Sequence, residues 1–194
     1  MRNLFKALVL CCLLLSLRNT QALCQDDNDD VHNLIINLPE VALLDLEAAG
    51  AKDISLGPDA PTEAGEALDF SNESNSELWI NHSSIVGAKS DPKKNITVQI
   101  TSGALPSAML LSVVVHKDAG AGDGTIGTPT TSLVLNNKAQ NIITGLGSAY
   151  TGNGPTRGHR LTYSLAFDTK KGAHTNLDFD RANTLTITYT LSDQ

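Results

Sequence analysis

The chain has 194 residues, 41% of them hydrophobic and only 4% aromatic, with 14 Lys and Arg against 21 Asp and Glu for a net charge of −7. An acidic balance of this kind is repelled by phosphate backbones, which argues against nucleic acid and anionic lipid as partners. All three cysteines (Cys11, Cys12, Cys24) fall at the start, so a disulfide-stapled mini-domain and a cysteine-ligated metal site are excluded, and the remaining length suffices to bury one core unaided.

The first segment reads as a secretion signal. Arg2 and Lys6 precede the apolar run Ala7–Leu17, and a polar stretch leads to cleavage after Ala22 or Cys24, giving a signal over residues 1–24. That run is too short to span a bilayer comfortably, and none that follows approaches the roughly 20 residues required. The expectation is a secreted, extracellular or cell-surface chain with no transmembrane span, periplasmic only in transit. All 21 acids follow the signal while Arg2, Lys6 and Arg18 lie inside it, leaving 11 basic residues against 21 acids, a mature net charge of −10. The charge is lopsided: residues 25–77 hold 14 acids against Lys52 alone, and from Leu78 onward seven acids face ten Lys and Arg. Such a split lets copies attract one another head to tail.

Residues 25–33 form an acidic tail (Asp26, Asp27, Asp29, Asp30), expected to be flexible and solvated. A β-sandwich domain is expected over 34–194. It begins with the sequence's most conspicuous stretch, Leu34 to Glu47, in which Leu34, Ile36, Leu38, Ala42, Leu44 and Leu46 share one face at period two, interrupted by Glu40. Pro39 cannot donate to a ladder, so the stretch is an edge strand or one that breaks there. Short strands are read at Ile54–Leu56 and Ala64–Phe70, then at Leu78–His82. Asn95–Thr101 alternates with Ile96, Val98 and Ile100 inward, and Met109–Val115 is apolar on both faces. A glycine-rich loop precedes Ser132–Leu135 and Ala139–Thr144, which read as a hairpin about Asn136-Asn137. After the Gly145–Gly158 loop, Leu161, Tyr163, Leu165 and Phe167 share a face, as do Leu185, Ile187, Tyr189 and Leu191 opposite four threonines. The pattern predicts nine to eleven short strands, no major helix in the mature chain, and a single antiparallel β-sandwich of Ig-like, Greek-key type.

Chemistry is sparse. The five histidines (His32, His82, His116, His159, His174) show no metal-ligand spacing, and no nucleophile motif is present, so the chain reads as non-catalytic with no cofactor and no metal. Asp118 and Asp123 in a glycine loop suit a turn better than a calcium loop. Asn72, Asn81 and Asn95 head sequons in a number that chance supplies. Trp79 and Tyr150 are the rings placed to meet a ligand such as a glycan.

The signal, acidic extension and alternating N-terminal strand, with the C-terminal Thr-Leu-Thr-Ile-Thr-Tyr-Thr-Leu strand, resemble secreted bacterial fimbrial and spore-coat-U-like surface subunits. The resemblance implies that the N-terminal strand completes the sheet of the next copy. The leading expectation is therefore a structural subunit of a fimbria-like filament or surface layer, assembling with copies of itself by strand exchange. Leu34, Ile36 and Leu38 would be donated, with Ala42, Leu44 and Leu46 either continuing that strand or beginning the home sandwich. The alternative is a monomeric adhesin or carbohydrate-binding module using Trp79 or Tyr150.

Overall fold

Alternating apolar and polar residues drive the chain into strands that hide one face each, and two antiparallel sheets packed together satisfy them all. The computed structural model describes residues 30–106, 108–168, 174–178 and 183–193. The expected secretion signal and residues 25–29 of the acidic tail lie outside the described residues. From Leu38 onward the chain is one unit.

Among the described residues eleven strands form: β1 (Val41–Ala48), β2 (Ser74–Ile85), β3 (Lys94–Ser102), β4 (Met109–Asp118), β5 (Asp123–Gly124), β6 (Thr128–Pro129), β7 (Leu133–Val134), β8 (Gln140–Leu146), β9 (Ala149–Tyr150), β10 (His159–Phe167) and β11 (Thr186–Asp193). The first sheet has seven strands in the order β5-β9-β2-β10-β4-β7, with β1 also on β2; the second has four, β11-β3-β8-β6. The sandwich expected from the pattern is therefore present, and the helical content of the described residues is a single 3-10 turn at His174–Asn176.

The long strand β2 organises the first sheet. β1 pairs with Leu78–Ile85, while β10 takes Ser74–Ile80 and β9 takes Ser83–Ser84. Residues engaged by β1 and β10 together have spent both ladder directions, so β1 lies across β2 from β9 and β10, at the sheet's edge. Leu78, Ile80, Leu111, Val113, Val115, Leu161 and Tyr163 from this sheet meet Ile96, Val98, Ile142, Ile143 and Leu146 from the other. A hydrogen bond between the Tyr163 and Tyr189 hydroxyls ties β10 to β11 across the core, and burial pushes Tyr163 up to about 12 and Tyr189 well above its ordinary value.

Several expectations need correction. The first strand starts at Val41, not at Leu34, because Pro39 interrupts the ladder. Residues 54–56 and 64–70 form no strand, although Ile54 and Leu56 still pack against the core as irregular chain. The 132–144 segment is no hairpin: β7 pairs with β4 in one sheet and β8 with β3 in the other. The Asn136-Asn137 turn instead carries the chain between layers, because Leu135 and the Ile142-Ile143 pair all need burial and a flat two-stranded ribbon would leave some of them wet.

Candidate functional site

The stretch Leu34–Glu47 divides at Pro39 into two regions of opposite character. Leu44, Leu46 and Ala48 of β1 pack against the core of their own molecule, while Ala42, near the start of the strand, is exposed. From Asp30 to Glu40 the chain has no ladder partner, and Val31, Leu34, Ile35, Ile36 and Leu38 are 77–90% exposed. Five large apolar side chains side by side in water are unusual for a monomeric protein.

The sandwich also has an incomplete side. Among the described residues β1 pairs only with β2 and β11 only with β3, so each offers a free edge, and the two strands approach each other. Their inward residues Leu44, Leu46, Ile187, Tyr189 and Leu191 are only partly covered, whereas Ile96 and Val98 on the neighbouring strand are fully buried. Free backbone groups beside half-covered apolar side chains are what an added strand requires.

An ion cluster sits where the chain enters β1. Lys94 stands at the inward parity of β3, and its side chain is 1% exposed. Its Nζ donates to Asp91 Oδ2 at 2.6 Å, Asp193 Oδ1 at 2.6 Å and Glu40 Oε1 at 3.0 Å, so the turn before β3, the end of β11 and the root of β1 meet on one ammonium. These carboxylates, Asp193 foremost, hold Lys94 well above the ordinary lysine value, and Lys94 in turn lowers Asp193. The three acids could converge on a metal ion, but the ammonium already occupies that place.

Sequence spacing scattered the histidines, yet the fold brings two together. His82 of β2 and His159 of β10 are 3% and 1% exposed, with ring centroids 6.1 Å apart and planes within 11°. His159 Nδ1 lies 2.9 Å from the His116 carbonyl oxygen, to which it donates as the Nδ1–H tautomer. His159 Nε2, both nitrogens of His82 and Asp118 Oδ1 are buried without a hydrogen bond of good geometry, although the Ile126 backbone acts on both rings. Burial, then the neighbouring His159, push His82 down to about 4; burial also lowers His159. Both rings are neutral at pH 7. No linear spacing rule relates positions 77 residues apart, so this pair was invisible in the sequence.

The remaining candidates separate cleanly. Trp79 is half-buried, paired across the sheet with Glu47 and Arg160. Tyr150 is 54% exposed and lines a groove of about 470 Å³ with Val41, Ile85, Ala149 and Asp123. Asp118 and Asp123 each accept from a nearby glycine amide, the bonding of turns. Of the sequon asparagines, Asn72 is exposed; Asn81 is 5% exposed and donates to the Gly154 carbonyl at 2.9 Å, and Asn95 accepts from the Gly145 amide at 3.0 Å. The folded chain thus engages two of the three acceptor amides. No helix among the described residues is long and apolar enough to cross a membrane. No family model, no curated protein and no solved structure matches this chain.

Proposed function

We propose that this chain is a secreted, non-catalytic structural subunit that assembles into an extracellular filament or surface layer by donating residues 31–38 to a neighbouring copy. The observation that carries the reading is the exposed apolar segment Val31, Leu34, Ile35, Ile36 and Leu38. Left in water, those side chains forgo roughly 10 kcal/mol of burial, at about 1.5–3 kcal/mol each. The receiving site is the side between β1 and β11. β11 has 8 residues, the length of the segment 31–38, and an incoming strand on its edge would cover Ile187, Tyr189 and Leu191. Ala42, Leu44 and Leu46 stay with their own sheet. The acidic first third and basic remainder steer such an encounter.

The test compares the full mature chain with residues 40–194 by size exclusion and electron microscopy. The mature chain is expected to polymerise and the shortened one to remain monomeric. Equal polymerisation of both would refute strand donation. A second reading, glycan binding, is favoured by Tyr150, an exposed ring beside the Asp123 carboxylate in an apolar groove. It would show as glycan-array binding by a monomer, lost on Tyr150→Ala.

A further inference from the structure

We propose that His82 and His159 form an acid-sensitive latch under one corner of the sandwich, so that acid frees residues 119–127 and 147–158 from the sheet while the core stays folded. Such a latch would work the same way in a single copy and in an assembly. The corner is lightly attached. Among the described residues β9 meets β2 at Ser83 and Ser84 alone, and β5 in turn meets only β9. By contrast, β10 and β4 pair from one end to the other. The corner's two segments carry eight glycines between them, and none of their side chains belongs to the main apolar core. Segments so poorly anchored are the ones that open locally before a fold opens as a whole.

The bonds that hold the corner down meet at the two rings. The His82 amide donates to Thr151 Oγ1 at 3.0 Å, and the His82 carbonyl accepts from the Thr151 amide at 3.1 Å. Beside it Asn81 Nδ2 donates to the Gly154 carbonyl, and the Ala119 amide donates to the Gly158 carbonyl, each at 2.9 Å. In the β5–β6 link the Ile126 backbone acts on both rings. The rings are thereby shut away from water, 6.1 Å apart, while three of their nitrogens lack a well-formed hydrogen bond. Burial opposes charge on either ring, and at His82 the neighbouring His159 opposes it further. Opening the corner hydrates both rings and lets each take a proton, so acid favours the open form. The titratable side chains on the surrounding elements are Asp45 and Glu47 of β1, Glu77 of β2, His116, Lys117 and Asp118 of β4, Asp123 of β5, Arg157 and Arg160. Of these, Asp118 acts on both rings and favours their charged form, but burial outweighs it. The strands β6 and β8 of the other sheet carry no charge. Because Asp123, Gly124, Ser148, Ala149 and Tyr150 line the Tyr150 groove, the same opening dismantles it.

The experiment is hydrogen–deuterium exchange on the full mature chain, read by peptide mass spectrometry at pH 7, 6 and 5. Rates are expressed as protection factors, which remove the intrinsic effect of pH on amide exchange. His82 sits at about 4 in the closed corner and returns to 6.5 once hydrated, so protection across 119–127 and 147–158 is expected to fall about twentyfold from pH 7 to pH 5. Peptides of β3 and β4 are expected to keep their protection. In His82→Phe the fall is expected to be markedly smaller, since one of the two titrating rings is gone. Protection in the corner that does not change with pH, a loss shared equally by β3 and β4, or an undiminished fall in His82→Phe would each overturn the latch. Should the variant not fold, the first two outcomes in the wild-type series still decide.

Discussion

Lys94 and the His82–His159 pair are both polar groups on inward-facing positions of strands, and the protein treats them in opposite ways. Lys94 keeps its charge and is given three carboxylates. The histidines give up their charge, and three of their ring nitrogens have no well-formed hydrogen bond beyond the weak backbone influence of Ile126. The difference follows from the intrinsic proton affinities of the two side chains. Neutralising a lysine at pH 7 means fighting an ordinary value of 10.5, so recruiting acids costs less. A histidine, starting at 6.5, becomes neutral with modest burial and then needs no counterion. Acid should find the two inclusions in different pH windows.

The largest effect is expected at Lys94. Lys94→Ala removes a side chain that is 1% exposed, opening a cavity, and takes away the cation that Glu40, Asp91 and Asp193 share. A fall in the thermal midpoint on the order of 10 °C is expected, or loss of the folded state. Lys94→Met keeps most of the volume, and a comparable loss there would assign the effect to charge and not to packing. A melt unchanged in both variants would contradict the cluster.

The histidine pair ranks second. The folded value of about 4 for His82 lies below the 6.5 of the unfolded chain, so the unfolded state takes up the proton first. The neutral ring's contribution is complete above pH 6.5 and is lost as pH falls toward 4, by up to about 3 kcal/mol for His82. Urea titrations at pH 7, 5.5 and 4 would measure it. His82→Phe, similar in shape and unable to titrate, should flatten much of that slope; an unchanged slope would mean the ring is already solvated.

These inclusions also mark where the sequence stopped being informative. Alternation in Asn95–Thr101, Leu161–Phe167 and Leu185–Leu191 was enough to identify strands and their dry faces, because period two directly reflects burial on one side. Extended back one step, the same alternation places Lys94 inward beside Ile96, and an inward lysine demands acids. Asp91, three residues before it, is a local partner, but Glu40 and Asp193 lie 54 and 99 residues away and could not be read as its partners. Strand pairing was equally hidden. A two-asparagine turn looks the same whether it closes a hairpin or carries the chain between layers, and only the competing claims of Leu135, Ile142 and Ile143 on the core decide. Pro39 was legible as an interruption, but its position alone did not tell whether Ala42, Leu44 and Leu46 would continue the donated strand or begin the home sheet.

The smallest expected effect sharpens the contrast most. Asp193 is one of three acids on Lys94 and its side chain is 73% exposed, so Asp193→Asn at pH 7 should lower the midpoint only slightly, with Asp91 and Glu40 still holding the ammonium. Its carboxyl is depressed below 3.8, chiefly by the hydrogen bond from Lys94. A depressed acid contributes stability that is fully present well above pH 3.8 and disappears as pH falls through its folded value. Asp193→Asn should therefore remove part of the acid sensitivity below pH 4 and none of the loss between pH 6.5 and 4, while His82→Phe does the reverse. Thermal melts of the two variants from pH 7 to pH 3 measure both windows. If Asp193→Asn altered the upper one, the lysine cluster and the histidine pair would be coupled, and acid would act on them as a single unit.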